Sequence, residues 1–259
     1  MKKRAMSSER ARSVRQAGHD DATEFAKQIG LSSDYNNDKQ AKKDVIDPFG
    51  DAHSVKSGKK RWQIFLYHRS RFERDSAFQT MNGIGQIFIQ CLQLFPDNFS
   101  EYKSNKNLFK QKLRIYMIEL KNRLSEKRRL KSFLEKSFFN GNEVKYLTIK
   151  VENQFHVFHA QDVVESISAN CIVENSKARR EGEISEQKVL IKFENTNLGE
   201  IEIRNSSPNH YREVLFVVNR KKAEELLFSK IKTAKIYAEN VILHGLAIKK
   251  FGRGKNKIL

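Results

Sequence analysis

Asp44, Ser54 and Lys56 lie in the stretch DVIDPFGDAHSVKSG, and their types and spacing could do chemistry. An acid that holds a divalent cation, with a lysine a few ångströms away, has the parts that phosphodiester hydrolysis needs. Hard oxygen ligands bind the cation, which polarises a phosphate and lowers the pKa of its water. The ammonium offsets the charge that builds on the phosphorane-like transition state and orients the attacking water. Lysine is also almost never fully buried without a partner. A lysine in the middle of an apolar strand therefore asks for an acid.

The elements around these residues must bring them together. From Asp44 to Tyr67 the chain reads as three extended runs, DVIDPF, AHSVKS and RWQIFLY, separated by turn formers. A hairpin through FGDA would let Asp44 and Lys56 converge, and Ser54 and Lys56, two apart, share one face of it. Asp47 and Asp51 flank Pro48 and Gly50, which marks them as turn residues. Ahead of the hairpin, Asp21 caps a short helix whose apolar stripe is Ala22, Phe25, Ala26 and Ile29, ending at Gly30. Glu24 completes a capping box there.

Beyond the hairpin, SAFQTMNGIGQIFIQCLQLF reads as a buried helix in which Gly83 and Gly85 allow close packing, and residues 103–139 read as a long basic helical stretch. A second β-rich segment follows: a YLTIKV/QFHVFH hairpin, then a meander of KVLIKFE, EIEIRN and YREVLFVVN, then a closing helix RKKAEELLFSKI and a basic tail. His156 and His159 read as the polar face of their strand. This order predicts a mixed α+β (α/β) fold, a central mixed sheet flanked by helices with a further β-rich part. The expected organisation is a basic flexible arm over 1–17, a catalytic core over 18–139 and a β-rich, DNA-recognising part over 140–259.

The balance of 49 Lys+Arg against 31 Asp+Glu, a formal charge of +18, points to a polyanionic partner, nucleic acid first. No apolar run approaches the ~20 residues of a membrane-spanning helix. The basic start has no apolar stretch after it, and the two cysteines have neither metal-ligand nor disulfide spacing. The expectation is a reduced, cytoplasmic, soluble protein without membrane contact or a small-molecule cofactor.

The Asp44 to Lys56 piece resembles the PD-(D/E)xK nucleases and, among them, the type II restriction endonucleases. Asp44 takes the place of that pattern's first acid, and Ser54-Val55-Lys56 takes the place of its acid-x-Lys. Ser54 departs from the pattern, because a serine stands where the second acid belongs. The segments SVKSGKKRWQIFLY, FFNGNEVKYLTI, NSKARREG and EIRNSSPNHYRE, in that order, are similar in texture to restriction enzymes of AT-rich bacteria. The resemblance implies a restriction-endonuclease-like core, a Mg²⁺ ion held by Asp44 and Glu24, and Lys56 assisting the water. It also implies support from Ser54 and Gln63, and double-stranded DNA as substrate, cut by a homodimer where the target is palindromic.

The same charge and motif are open to other readings. A repair nickase or junction resolvase would share the fold, and a non-catalytic basic nucleic-acid-binding protein would retain only the binding. For contacts to DNA the sequence offers Lys177, Arg179 and Arg180 in NSKARREG, together with Arg204, His210, Tyr211 and Arg212. Arginine's planar fork reads guanine, whereas lysine mostly meets phosphate.

Overall fold

The computed structural model describes residues 8–32, 43–81 and 83–252. Helix α1 (Ser8–Gln28) precedes a hairpin of β1 (Val45–Ile46) and β2 (Ala52–Lys56). Strand β3 (Arg61–His68) runs into α2 (Arg69–Arg74), α3 (Ser76–Thr80), α4 (Ile84–Gln93), α5 (Phe99–Ser104), α6 (Lys106–Leu124) and α7 (Lys127–Phe139). Then come β4 (Val144–Val151), β5 (Gln154–His159) and α8 (Ala160–Asn170). The meander is β6 (Cys171–Asn175), β7 (Lys188–Phe193), β8 (Thr196–Arg204) and β9 (Glu213–Asn219). Helix α9 (Arg220–Lys230), β10 (Ala234–Ala238), β11 (Val241–His244) and α10 (Ala247–Lys250) close the described chain.

The fold is mixed α+β, with a six-stranded mixed sheet ordered β1-β2-β4-β5-β11-β10 and a five-stranded antiparallel sheet ordered β3-β9-β8-β7-β6. They belong to two compact units. The first gathers Met1–Lys59, Phe138–Val163 and Phe228–Leu259; the second gathers Lys60–Ser137 and Val164–Leu227. The compositional break expected near Asn140 lies beside the crossing between Ser137 and Phe138. The other crossings carry no such mark, because a chain that leaves and re-enters a sheet keeps its apolar pattern throughout.

In the first unit, α1 lays Ala22, Phe25, Ala26 and Ile29 on Val45, Val55, Tyr146, Phe155 and Val157 of the sheet. Phe25 meets the His53 ring at 5.0 Å and the Phe155 ring at 5.3 Å. Helix α1 begins at Ser8, so residues 8–17, expected as part of an arm, are its first turns; residues 1–7 lie outside the described ones. The sequence hid this because those turns have no apolar stripe. In the second unit, Phe65 and Phe216 from the sheet meet Phe78 and Phe133 from the helices.

Three further expectations are corrected. The helix expected over SAFQTMNGIGQIFIQCLQLF is two helices, α3 and α4, broken where Gly83 adopts φ +78°. A Cβ on Gly85 would stand 2.0 Å from the Phe78 carbonyl oxygen, which explains why glycine sits there. The run RWQIFLY forms β3, but it pairs with β9 in the other sheet, not with the β1–β2 hairpin. The chain also continues past α9 into β10 and β11, and β11 pairs parallel with β5.

Candidate active site

Strands β1 and β2 pair antiparallel, Val45 opposite His53 and Ile46 opposite Ala52. The turn between them is held by Asp47, whose Oδ1 accepts N–H bonds from Phe49 and Asp51, both at 2.9 Å. Its Oδ2 lies 3.3 Å from His53 Nε2, and His53 Nδ1 lies 2.9 Å from Thr148 Oγ1 on β4. A carboxylate only accepts, so Nε2 carries the proton and Nδ1 accepts from the threonine hydroxyl. Burial holds His53 neutral by lowering its pKa, against the opposing pull of Asp47. The turn is thereby tied to the sheet.

This frame fixes Asp44, whose N–H donates to the His53 carbonyl at 2.9 Å. Its Oδ2 accepts the Val55 N–H at 2.7 Å and the Ser54 hydroxyl at 3.3 Å, and it stands 3.7 Å from Lys56 Nζ. Among the described residues no hydrogen bond reaches Asp44 Oδ1. Ser54 is buried, while the Asp44 side chain keeps 36% of its exposure and Lys56 keeps 23%. The pair expected from sequence is therefore assembled near the edge of the sheet, with one carboxylate oxygen anchored and the other outside those hydrogen bonds.

Glu24 does not join them. Register puts Val55 opposite Thr148 and Lys56 opposite Ile149, so Lys56 and Ser54 point away from the face that α1 covers. Glu24 sits on α1, where its carboxylate accepts from Lys150 Nζ at 2.7 Å; Asp21 accepts from the same ammonium at 2.7 Å. Burial lowers the Lys150 pKa, but the hydrogen bonds it donates to Asp21 and Glu24 outweigh that and raise it. Lys150, which also lies over the Phe155 ring at 5.5 Å, has no motif around it in the sequence. The signal for it was another charged residue inside an apolar strand, YLTIKV. Gln63 is exposed on β3, in the second unit's sheet.

The residues expected to meet DNA divide in two. Lys177, Arg179 and Arg180 are exposed in the loop from β6 to β7, which is closed by Glu183 N–H to the Arg180 carbonyl and Ala178 N–H to Ser185 Oγ. Tyr211 instead donates to the Pro96 carbonyl at 2.9 Å, and Arg212 pairs with Asp97 and the Leu92 carbonyl. Both bind the chain to itself. His210 bonds Glu213, and Arg204 lies half-buried opposite Glu213 in the sheet. His156 and His159, expected on one polar face, point to opposite faces among aromatic rings. Burial and the lysines 250 and 145 push His159 down to about 4.

No group of three or more His, Cys, Asp or Glu gathers around one point among the described residues. None of the described helices is long and apolar enough to cross a membrane. Comparisons with protein-family models, with curated proteins and with solved structures find no match to this chain.

Proposed function

We propose that the chain is a Mg²⁺-dependent endonuclease of the PD-(D/E)xK type, a restriction enzyme cutting double-stranded DNA. The observation that carries this reading is the Asp44–Ser54–Lys56 cluster, with the ammonium 3.7 Å from the carboxylate. A formal charge of +18 supplies the attraction for a polyanion.

The donor set fits a magnesium ion in its leanest form. Magnesium commonly takes one or two carboxylates and completes its shell with water and substrate phosphate. Asp44 Oδ1, without a hydrogen bond among the described residues, would be that carboxylate; when bound, the ion supplies charge for the phosphate and acidifies a water. Ser54 and the Val55 N–H hold Asp44 by its other oxygen, which fixes the carboxylate's direction. Lys56 then leaves Asp44 for the phosphate, offsetting the charge that develops there. Glu24 takes no part, since Lys150 neutralises it across the sheet.

The lone carboxylate also favours a second reading, a nucleic-acid-binding protein that does not cut. One experiment separates the two. Unmethylated phage DNA is incubated with the protein in Mg²⁺, with EDTA, and with a Lys56→Ala variant. Discrete fragments that vanish in both controls support the nuclease. Intact DNA with every divalent metal, alongside a salt-sensitive gel shift, leaves only the binding protein.

A further inference from the structure

Among the described residues, the first unit's sheet ends in a strand with a bare outer edge. Strand β10, AKIYA, pairs with β11 on one side only and closes the strand order. Four of its five residues are exposed, with Ile236 72% and Tyr237 43% open. An uncovered edge strand that carries large apolar side chains is a template for another strand.

The directions of its polar groups follow from one bond. Gly245 N–H donates to the Thr233 carbonyl at 2.9 Å, and Ala234, Lys235 and Ile236 then lie opposite His244, Leu243 and Ile242. Hydrogen-bonded pairs alternate along an antiparallel ladder, so Thr233 and Lys235 turn their polar groups to β11. Ile236 therefore turns its N–H and C=O outward. An antiparallel second copy could exchange both bonds with the same residue, Ile236 on Ile236, across a two-fold axis.

The charges favour a second copy of this chain in that register. Lys235 and Glu239 are exposed, and among the described residues no ion pair holds either. With Ile236 on the axis, Lys235 faces Tyr237 of the copy and lies diagonal to the copy's Glu239, within reach of a long side chain. Each contact occurs twice by symmetry. A parallel strand in the same register would set Lys235 beside Lys235. We propose that β10 is a dimer seam, at which two copies join edge to edge through Ile236 into one continuous sheet. The bulge between Ile236 and Ala238 confines the ladder to this short stretch. Strands so short bury less than the roughly 1,200 Å² of a standard interface, so the dimer is reversible and concentration-dependent. The Asp44 cluster lies towards the other end of the strand order, so the seam and the proposed hydrolysis fail or stand separately.

The test is sedimentation equilibrium of the whole chain in about 0.15 M salt, where a Debye length of about 8 Å screens the net charge but not groups in contact. The mass should rise with concentration from one chain towards two and no further. Ile236→Lys sets two ammonium groups directly across the seam and should weaken association at least about tenfold. Ile236 is exposed, so this variant should keep the parent's circular dichroism. Cysteines read the register. Opposite residues of a hydrogen-bonded pair stand about 5.5 Å apart at Cα, inside disulfide range, so Ile236→Cys should link two chains under mild oxidation. Glu239→Cys should not, because about 20 Å of strand parts its two copies. The parent, with Cys91 buried and Cys171 half-buried, gives the background. A mass of one chain up to about 1 mM, where even a millimolar Kd would show, would overturn the proposal, whether the edge stays bare or another part of the chain takes it. So would a dimer that survives Ile236→Lys, or two cysteine variants that link equally or not at all.

Discussion

Two acid–lysine clusters lie on opposite faces of the first unit's sheet, and they are built differently. On the α1 face, Lys150 bridges Asp21 and Glu24 at 2.7 Å each. Its ammonium lies over the Phe155 ring, and its two partners stand on a helix whose stripe fills the core beneath. That cluster is closed: every charge is met, and its effect is to fasten a helix to a sheet. On the other face, Lys56 stands at 3.7 Å from a single oxygen of Asp44, which is also held by Val55 and Ser54. That cluster is open. An ammonium that holds its acid loosely can turn to a phosphate, whereas one gripped by two carboxylates cannot. The difference lies in how far each charge is already satisfied, since both sites contain the same residue types.

The largest effect should therefore separate the two lysines by activity. Lys56→Ala should lower DNA cleavage by about 10²–10³-fold, the size of losing one charge aimed at the transition state. Lys150→Ala should cost less than about tenfold, a barrier change under about 1.4 kcal/mol. Initial rates on a defined plasmid in Mg²⁺ would measure both. Equal losses would erase the distinction between an open and a closed cluster.

Next in size is a pH effect, because both faces bury neutral histidines. Burial, joined by nearby lysines for His159 and by His156 for His244, pushes both rings down to about 4. The ordinary value is about 6.5, so between 6.5 and 4 the unfolded chain binds protons that the folded one refuses. Stability should be unaffected by these groups above pH 6.5 and should fall as pH drops through that window. Each group contributes up to about 1.4 kcal/mol per pH unit. Urea unfolding at pH 6.5 and 5.5 would measure it: His159→Gln, compared with the parent, should show the shallower fall by about 1 kcal/mol. Parallel falls would mean that the folded state accepts the proton on His159 without penalty.

Local signals carried the first hairpin. Turn formers at Pro48, Gly50 and Asp51 and the two-residue spacing of Ser54 and Lys56 were enough to place Asp44 beside Lys56, since the whole arrangement closes within a dozen residues. The meander from β7 to β9 was legible for the same reason, with strands that follow one another and pair. What stayed hidden depends on contacts far apart in the chain. Strand β3 follows the hairpin at once and yet pairs with β9, and β11 pairs with β5. A period of two gives a strand's face but not its neighbour. A family pattern groups Glu24 with Asp44. Only the register across β2 and β4 reveals that a sheet lies between them.

The last predicted effect also bears on stability and runs in the opposite order to the first. Lys150→Ala removes the common partner of Asp21 and Glu24 and leaves two carboxylates on one turn of α1 facing each other. Its side chain is 18% exposed, so solvent screens the loss only in part. A destabilisation of about 1–2 kcal/mol is expected, between an exposed ion pair and a buried hydrogen-bonded charge. Lys56→Ala removes a long contact to an acid that keeps two other donors, and should cost about 0.5 kcal/mol or less. Urea midpoints at pH 7 would compare them, and a Lys150→Met variant would keep an apolar stem of similar length while removing the charge. If Lys150→Met is as stable as the parent, packing alone holds α1, and the closed cluster contributes nothing beyond the carbon chain that reaches it. If it falls with Lys150→Ala, the ammonium is what fastens the helix. One face of the sheet then uses a lysine to hold the fold together, and the other holds its lysine by a single long ion pair.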